Sequence, residues 1–313
     1  MTARVLVTGA SGFIGRAMVP KLLAEGFDVR TASRLLSSIT GAEAAVLPSP
    51  EATDDHFDRL VSDVDHIVHL AGIAHSGNAY GSRAYHEANT VLTQKLARAA
   101  KHSINGKFIF MSSVRAQCGP TCEHMVRASD RATPQDDYGR SKLAAEQAIA
   151  HAYGPDDPRF TILRPVLVYG PGVGGNLRAL IRLARLPVPL PFASLQSRRS
   201  MLDRDALCEA VVHCLHESRT NGQTYLVADR TPISVADVLA AIRKGMGRDA
   251  ALFSFPLPLM QIAATTTGQK QRWQAVTGEL TADPSPLIET GWTPVSNTAR
   301  NIAKAIETEL ART

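Results

Sequence analysis

Three glycines at a spacing of three stand between the first apolar run of the chain and the first helical pattern. The run RVLVT (4–8) is predicted as a buried strand, and Gly9, Gly12 and Gly15 follow it in TGASGFIG. Glycine at such positions permits a tight turn, close approach of backbone N–H groups to a pyrophosphate, and close packing of helix on strand. The stretch therefore predicts the start of a βαβ unit with a dinucleotide-binding bend at the N-terminus of its helix.

The rest of the first half alternates between strand and helix patterns. Continuous apolar runs predict buried strands, and stretches with apolar residues on one face predict helices between them. This alternation indicates a parallel sheet covered on both faces, which is a doubly wound α/β fold of the Rossmann type. The predicted strands cover residues 4–8, 28–33, 65–72, 106–113 and 160–170, and the predicted helices include 13–26 and 82–101.

The texture of the sequence changes after Tyr169. The stretches GPGVGGN (170–176) and LPVPLPFAS (186–194) are rich in proline and glycine, and the later elements are shorter. We expect a Rossmann domain over residues 1–170 and a smaller, mainly substrate-binding lobe over 171–313. Some elements of the lobe are expected to return to the Rossmann domain.

Charge and composition narrow the range of partners. The 34 Lys and Arg residues against 29 Asp and Glu give a net charge of +5, but they are spread along the chain, and aromatics are only 5%. A nucleic-acid partner is disfavoured, since it would need clustered basic residues with aromatics between them. No apolar run approaches the ~20 residues of a membrane span. With no signal-peptide pattern at the start, we expect a cytoplasmic protein without a membrane partner.

The four cysteines do not form a disulfide or zinc pattern. Cys208 and Cys214 fall with two histidines in DALCEAVVHCLHES (205–218), where the apolar spacing is helical. This stretch favours core packing over metal ligation, and no metal site is expected.

The end of the second strand bears on the choice of cofactor. NAD is usually held by an acidic residue about 20 positions after the glycines, whereas Ser33 and Arg34 stand at this point. A hydroxyl and a guanidinium suit a 2′-phosphate, so we expect NADP in preference to NAD. Arg30 is either a second such group or a solvated surface charge.

Tyr138 and Lys142 form a second candidate centre. In a helix, residues four apart lie on one face, and a cation within about 4–6 Å lowers a phenol pKa by roughly 1–3 units. We therefore expect Lys142 to lower the pKa of Tyr138, so that the phenol can act as a general acid or base near neutral pH. Ser113 ends the strand MSS (111–113) and should meet Tyr138 at the carboxyl edge of the sheet. The alternative is an exposed pair on a helix surface.

At this point the motifs carry a family resemblance from residue 4 to about 311. The chain resembles the extended short-chain dehydrogenases/reductases, specifically the NAD-dependent epimerase/dehydratase group that acts on nucleotide sugars, with UDP-glucose 4-epimerase as a type member. The motifs are TGASGFIG, HLAG (69–72), NTVLTQKLARAA (89–100), MSSV (111–114), YGRSK (138–142), ILRPVLVYGPG (162–172) and TGWTP (290–294).

The resemblance implies roles for single residues. Tyr138 would exchange a proton with the substrate oxygen, Ser113 would orient that oxygen, and Lys142 would also bind the nicotinamide ribose. Substrate contacts are implied for Ser113, Tyr138, Asn176, Phe192 and Arg199, with Arg198 as an alternative for the diphosphate. Contacts with the cofactor are implied for Gly9, Ser11, Gly12, Phe13, Ile14, Gly15, Ser33, Arg34, Leu70, Ala71, Gly72, Asn89, Tyr138, Lys142 and Pro165. A homodimer through the long helix and the Tyr138 helix is implied as well.

The chain also departs from the group's patterns. Dehydratases of this group carry Asp-Glu directly after the catalytic Ser or Thr, where this chain has Val114 and Arg115. The segment 47–55 lacks the usual Gly-Asp-hydrophobic triplet that contacts adenine. We expect chemistry at C4 of a nucleotide-linked sugar, a UDP-hexose or UDP-N-acetylhexosamine, by a 4-epimerase or a 4-keto reductase. The alternatives are a reductase of a non-nucleotide ketone and a non-catalytic NADP sensor.

Overall fold

A parallel sheet forms the centre of the protein. The computed structural model describes residues 2–74, 80–266, 268, 273 and 277–311. Seven strands lie in the order β10-β6-β5-β4-β1-β2-β3 and all pair in parallel. The strands are β1 Arg4–Thr8, β2 Asp28–Ser33, β3 Glu43–Val46, β4 His66–His69, β5 Phe108–Met111, β6 Phe160–Pro165, β7 Leu167–Tyr169, β8 Arg198–Arg199, β9 Met201–Asp203, β10 Gln223–Val227 and β11 Ile233–Ser234.

Helices cover both faces of this sheet, which confirms the predicted doubly wound fold. In β1, Val5 and Val7 face one core and Leu6 faces the other, because side chains alternate along a strand. The helices are α1 Gly15–Ala24, α2 Asp54–Val61, α3 Ser82–Tyr85, α4 Leu92–Ser103, α5 Val114–Gln117, α6 Asp137–Tyr153, α7 Gly175–Ala184, α8 Arg204–His216, α9 Val235–Gly245, α10 Leu257–Thr266, α11 Ser285–Glu289 and α12 Thr298–Leu310.

Two predicted elements differ from the structure in more than the position of their ends. The helix predicted over 82–101 contains a π-helical segment, His86–Val91, between α3 and α4. The strand predicted over 160–170 ends at Pro165, and β7 then pairs with β9 outside the main sheet. The Val166 N–H still donates to the Val227 carbonyl of β10 at 3.2 Å, and the chain leaves the main sheet after it.

The second half of the chain contributes to two regions. The helix α8 packs on α1 and β5, while β10 pairs with β6 at the edge of the main sheet. A separate apolar cluster joins α7, α9 and α12 through residues such as Ile181, Leu239 and Ile302. Cys208 and Cys214 are buried in the main core. No helix in the described part of the chain has both the length and the apolar character that a bilayer span requires.

Candidate active site

The glycine bend leaves no room for a side chain at Gly9 or Gly15. Gly9 has φ +72°, and a Cβ on it would lie 2.7 Å from the Ala71 backbone nitrogen. A Cβ on Gly15 would lie 2.4 Å from the Gly9 carbonyl oxygen, while one on Gly12 would lie 3.2 Å from it. The helix α1 begins at Gly15, and the Arg16 and Ala17 N–H groups of its first turn donate back to the Gly12 and Ile14 carbonyls of the bend. The bend and the helix N-terminus therefore form a cradle that suits a pyrophosphate.

The end of β2 presents one exposed cation. Ser33 is buried, Arg34 is exposed, and no carboxylate follows before Glu43. Arg30 is not a solvated surface charge, because its Nη1 donates to the Ser62 carbonyl at 2.7 Å and its Nε lies 3.1 Å from Glu43. Arg34 is thus the basic side chain of this strand end that is free to face solvent.

Asn89 connects the end of β4 to the helix that carries Tyr138. Its Oδ1 accepts from the Ile73 N–H at 2.8 Å, and its Nδ2 donates to the Ser141 hydroxyl at 3.0 Å. A Cβ on Gly72 would lie 2.5 Å from the Asn89 Oδ1. Asn89 sits in the π-helical segment and is fully buried, so it fixes the backbone beyond β4 as a structural polar residue.

Ser113, Tyr138 and Lys142 lie at the carboxyl edge of the sheet, as the sequence predicts. Ser113 caps α5, and its hydroxyl forms a hydrogen bond with the Tyr138 phenol. The Lys142 ammonium donates to the Met111 carbonyl at 2.9 Å and lies 4.8 Å from the centre of the Phe110 ring. The three side chains are at most 9% exposed.

The predicted direction of the Tyr138 pKa was wrong for this structure. Burial raises the pKa of Tyr138 to about 12, although the hydrogen bond to Ser113 lowers it. Burial also lowers the pKa of Lys142 to about 8, while Glu146 raises it. The spacing of four residues places Tyr138 and Lys142 on one face of the helix, but it carries no information about how deeply the phenol is buried. Burial removes water from the phenol, and this desolvation disfavours the phenolate.

Arg115 stands where the dehydratases of the resembled group have a carboxylate. Its Nη2 lies 2.5 Å from Asp136 Oδ2. Asp136 is the N-cap of α6, and its other oxygen accepts from the Gly139 N–H at 2.7 Å. The pair therefore joins the segment after Ser113 to the first turn of the Tyr138 helix, and it places a guanidinium where elimination would need an acid.

A buried relay of hydrogen bonds behind the glycine bend was not anticipated from the sequence. His69 contacts the Thr8 hydroxyl at 2.6 Å through Nδ1 and the Thr93 hydroxyl at 2.9 Å through Nε2. Thr93 in turn donates to the Asn89 carbonyl at 2.6 Å. Burial lowers the pKa of His69 to about 3, so the ring is neutral and holds the bend, β4 and α4 in register.

A second unanticipated group lies one turn beyond Lys142. Glu146 and Arg164 form a buried ion pair at 2.5 Å, and Glu146 also accepts from Ser112. Arg164 Nη1 donates to Gln117. This network ties α6 to β5, α5 and β6. Two sequence signals pointed to it, namely a charged residue inside the apolar strand pattern of 160–165 and a glutamate four residues after Lys142.

The residues predicted for the substrate are spread over the lobe. Asn176 is exposed near the start of α7, and Phe192 is half-buried against the apolar cluster of the lobe. Arg199 donates to the Gly278 carbonyl at 2.6 Å and to the Pro120 carbonyl at 2.9 Å, whereas Arg198 is exposed. Burial and the charge of Arg115 lower the pKa of Arg199. Arg115 and Arg199 thus bring positive charge from two segments toward the Tyr138 region.

Phe13 is a further link between the bend and the lobe. The Arg204 guanidinium lies 5.4 Å from the centre of its ring. Arg204 also donates to the Pro171 carbonyl at 3.0 Å. Of the other predicted cofactor residues, Ile14 and Leu70 pack against the main core, Ala71 and Pro165 are buried, and Ser11 is exposed.

Comparison with known proteins decides the family. The sequence model of the NAD dependent epimerase/dehydratase family matches residues 5–228. The chain belongs to this family. A UDP-glucose 4-epimerase of Vibrio cholerae is 30% identical to this epimerase/dehydratase family member over 302 residues, which cover 94% of this chain and 92% of the relative.

Two further proteins are similar to this chain. A ceramide reductase of Caulobacter vibrioides is 26% identical over 309 residues, covering 93% of this chain and 86% of the relative. A structure of UDP-glucuronic acid 4-epimerase from Bacillus cereus in complex with NAD has the same fold, with a TM-score of 0.75 at 20% identity. The superposition covers 98% of this chain and 95% of the Bacillus cereus chain.

Family membership and the glycine cradle agree on the cofactor. The family member described here is an extended short-chain dehydrogenase/reductase, and its cofactor is a nicotinamide dinucleotide, NAD or NADP. Gly9 and Gly15 fit this group, because a Cβ on either would meet backbone atoms in the cradle.

Proposed function

We propose that this protein is an oxidoreductase acting at C4 of a nucleotide-linked sugar, and that it works as an NADPH-dependent 4-keto reductase. The observation that carries the proposal is the buried Tyr138 phenol, hydrogen-bonded to Ser113 beside Lys142. Burial raises the pKa of Tyr138 to about 12, so the phenol keeps its proton at neutral pH. A reductase needs a proton donor in this state, whereas oxidation of an alcohol needs a base.

Different residues of the chain would bind the carbonyl oxygen of the substrate, protonate it and hold the cofactor. When bound, NADPH supplies a hydride to the carbonyl carbon of the substrate. Ser113 would hold the carbonyl oxygen, and the Tyr138 hydroxyl would give its proton to that oxygen as the alcohol forms. Lys142 would stabilise the phenolate that remains and bind the ribose of the nicotinamide. Gly9 and Gly15, with the N-terminus of α1, would hold the pyrophosphate.

The preference for NADP is proposed on the end of β2. Arg34 is exposed there, and Glu43 is already paired with Arg30. We expect NADPH to bind more tightly than NADH, and Arg34→Ala to weaken the binding of NADPH by about tenfold or more while leaving the binding of NADH nearly unchanged. Fluorescence titration of both nucleotides measures this, and tighter binding of NADH to the wild-type protein would contradict it.

A nucleotide sugar is proposed as the substrate class because UDP-glucose 4-epimerase is similar to this chain over nearly its full length. Arg199 and the exposed Arg198 would meet the diphosphate, with Asn176 and Phe192 nearby. The same relative favours a second candidate function, which is 4-epimerisation. A reductase of a non-nucleotide ketone is a third candidate, favoured by the similarity to ceramide reductase.

One experiment separates these functions. The purified protein is incubated with NADPH and, in turn, UDP-hexoses, UDP-N-acetylhexosamines and their 4-keto-6-deoxy forms, while absorbance and sugar composition are followed together. Oxidation of one NADPH for each keto sugar reduced supports the reductase. Epimer formation without net loss of cofactor supports the second candidate. Inertness toward all these compounds with retained NADPH binding would overturn the proposal and favour a sensor.

We also propose a homodimer through α4 and α6, which pack on each other and carry exposed residues such as Arg98 and His151. Light scattering after size exclusion tests this, with a monomer mass as the contradicting result. A cytoplasmic location remains part of the proposal and is tested by cell fractionation.

A further inference from the structure

The exposed side of α10 carries large apolar side chains beside its neutral polar ones, Gln261, Thr265 and Thr266. Leu259 and Ile262 are 53% and 60% exposed, and their spacing of three places them on one face of the helix. Met260 and Ala264, on the opposite face, are the half-buried ones. A surface helix normally carries charged residues on its outward face, and the segment Leu257–Thr266 contains none.

This face continues into two neighbouring segments of the lobe. The Leu190 N–H donates to the Ala251 carbonyl at 2.9 Å, and the Phe253 N–H donates to the Leu190 carbonyl at 3.0 Å. Residues 251–253 therefore run beside Leu190, and the Arg243 guanidinium donates to the carbonyls of Leu186, Val188 and Ala251. The exposed side chains of the two segments extend the apolar surface, which we call the apolar patch. Its members, each between 39% and 60% exposed, are Leu186, Val188, Phe253, Phe255, Leu259 and Ile262.

A stripe of positive charge borders the apolar patch. Arg178, Arg182 and Arg185 are exposed on α7 and its C-cap, and their spacing of four and three puts them on one face. The other face of α7 is buried through Leu177 and Ile181. Residues 171–202 contain five arginines and neither Asp nor Glu. Arg185 is followed directly by Leu186, so the stripe and the patch are continuous along the chain.

We propose that the apolar patch and the arginine stripe dock this protein on the surface of a lipid bilayer that contains anionic lipids. Apolar side chains inserted at the level of the headgroups, flanked by Arg facing anionic phosphates, are what interfacial binding requires. A second copy of this chain fits less well, because an isologous contact would bring like-charged stripes together. The inference replaces the expectation of no membrane contact with a surface contact, and it does not depend on the proposed substrate.

Sedimentation with sucrose-loaded vesicles tests the proposal on the full chain. We expect binding to vesicles of phosphatidylcholine with phosphatidylglycerol, weak binding to phosphatidylcholine alone, and loss of binding at high salt. The double variant Leu259→Ser with Ile262→Ser should lower the partition coefficient about tenfold or more, since two half-exposed side chains lose their insertion energy. Arg182→Glu with Arg185→Glu should lower it by about as much.

The matched control is Leu35→Ser with Leu36→Ser, two leucines that are more exposed and also follow an arginine but lie at the end of β2. It should bind vesicles like the wild-type protein, and circular dichroism checks that each variant folds. Absence of binding to anionic vesicles would overturn the proposal, as would equal loss in the control. If the patch variants instead change the mass in light scattering and no form binds vesicles, the patch is a contact between copies and the proposal fails.

Discussion

The catalytic edge and the lobe are held in different ways. At the edge of the sheet, Ser113, Tyr138 and Lys142 are almost fully buried, and each is fixed by hydrogen bonds to backbone or to another buried group. In the lobe, Asn176 is exposed and Phe192 is half-buried. Under the proposed function, the fold fixes the groups that move the proton, whereas two of the side chains proposed to contact the substrate are less constrained.

The largest effect on this comparison is expected from the ion pair behind Lys142. Glu146→Gln leaves the Arg164 guanidinium buried without its counter-charge, and we expect a loss of about 3–5 kcal/mol in the free energy of unfolding. Urea denaturation followed by circular dichroism measures it. Glu25→Gln, which removes a pair with Lys21 at the surface, should cost less than about 1 kcal/mol.

A double variant makes this test sharper. Replacing Glu146 and Arg164 together by leucine removes both charges, so the protein should be more stable than with Glu146→Gln alone. If the single variant lost no more than the Glu25 control, the catalytic edge would not be the more rigidly fixed region, and the comparison would fail.

Gly15→Ala should weaken the binding of the cofactor while leaving the structure of the lobe intact. The new Cβ would lie 2.4 Å from the Gly9 carbonyl oxygen and 2.6 Å from the Ala10 Cα, so backbone must move. A cost of about 1–3 kcal/mol raises the Kd for NADPH by roughly tenfold to a hundredfold. Gly81→Ala is the control, because its Cβ would meet nothing within 4 Å. Equal affinities in fluorescence titration would contradict the cradle.

The smallest effect is a pH dependence of stability from His69. The pKa of His69 in the folded protein, about 3, lies below the ordinary 6.5. The contribution of the neutral ring to the free energy of unfolding is therefore complete above about pH 6.5, and it declines as the pH falls toward 3. Between pH 7 and pH 5 the protein should lose about 2 kcal/mol of its free energy of unfolding from this group. Urea denaturation at both pH values should show a smaller loss for His69→Asn than for the wild-type protein. Equal losses would mean that the relay does not depend on a neutral ring.

The sequence predicted those parts of the site that depend on short spacings. The glycine bend follows from residues 9–15, and the shared face of Tyr138 and Lys142 follows from the period of a helix. The parallel sheet covered on both faces follows from the alternation of strands and helices, although its strand order does not. The glycine bend and the shared helix face are local patterns that one stretch of the chain contains in full.

The partners that hold the site could not be read in the same way. Thr8 and His69 are 61 residues apart, and Glu146 meets Arg164 across two elements, so their contacts exist only after folding. The prediction that Lys142 lowers the pKa of Tyr138 was wrong for a related reason. Burial by distant segments outweighs the nearby ammonium, and the spacing of residues on a helix carries no information about burial.

The most direct test of the central claim is a single-turnover reaction with Tyr138→Phe. Tyr153→Phe is its matched control, because Tyr153 lies on the same helix and its buried hydroxyl has no hydrogen-bond partner among the described residues. With a 4-keto nucleotide sugar, we expect Tyr138→Phe to bind NADPH as the wild-type protein does and to oxidise it about 10²–10⁴-fold more slowly. The control should oxidise NADPH at nearly the wild-type rate. Equal rates for Tyr138→Phe and the wild-type protein would show that the proton comes from another group.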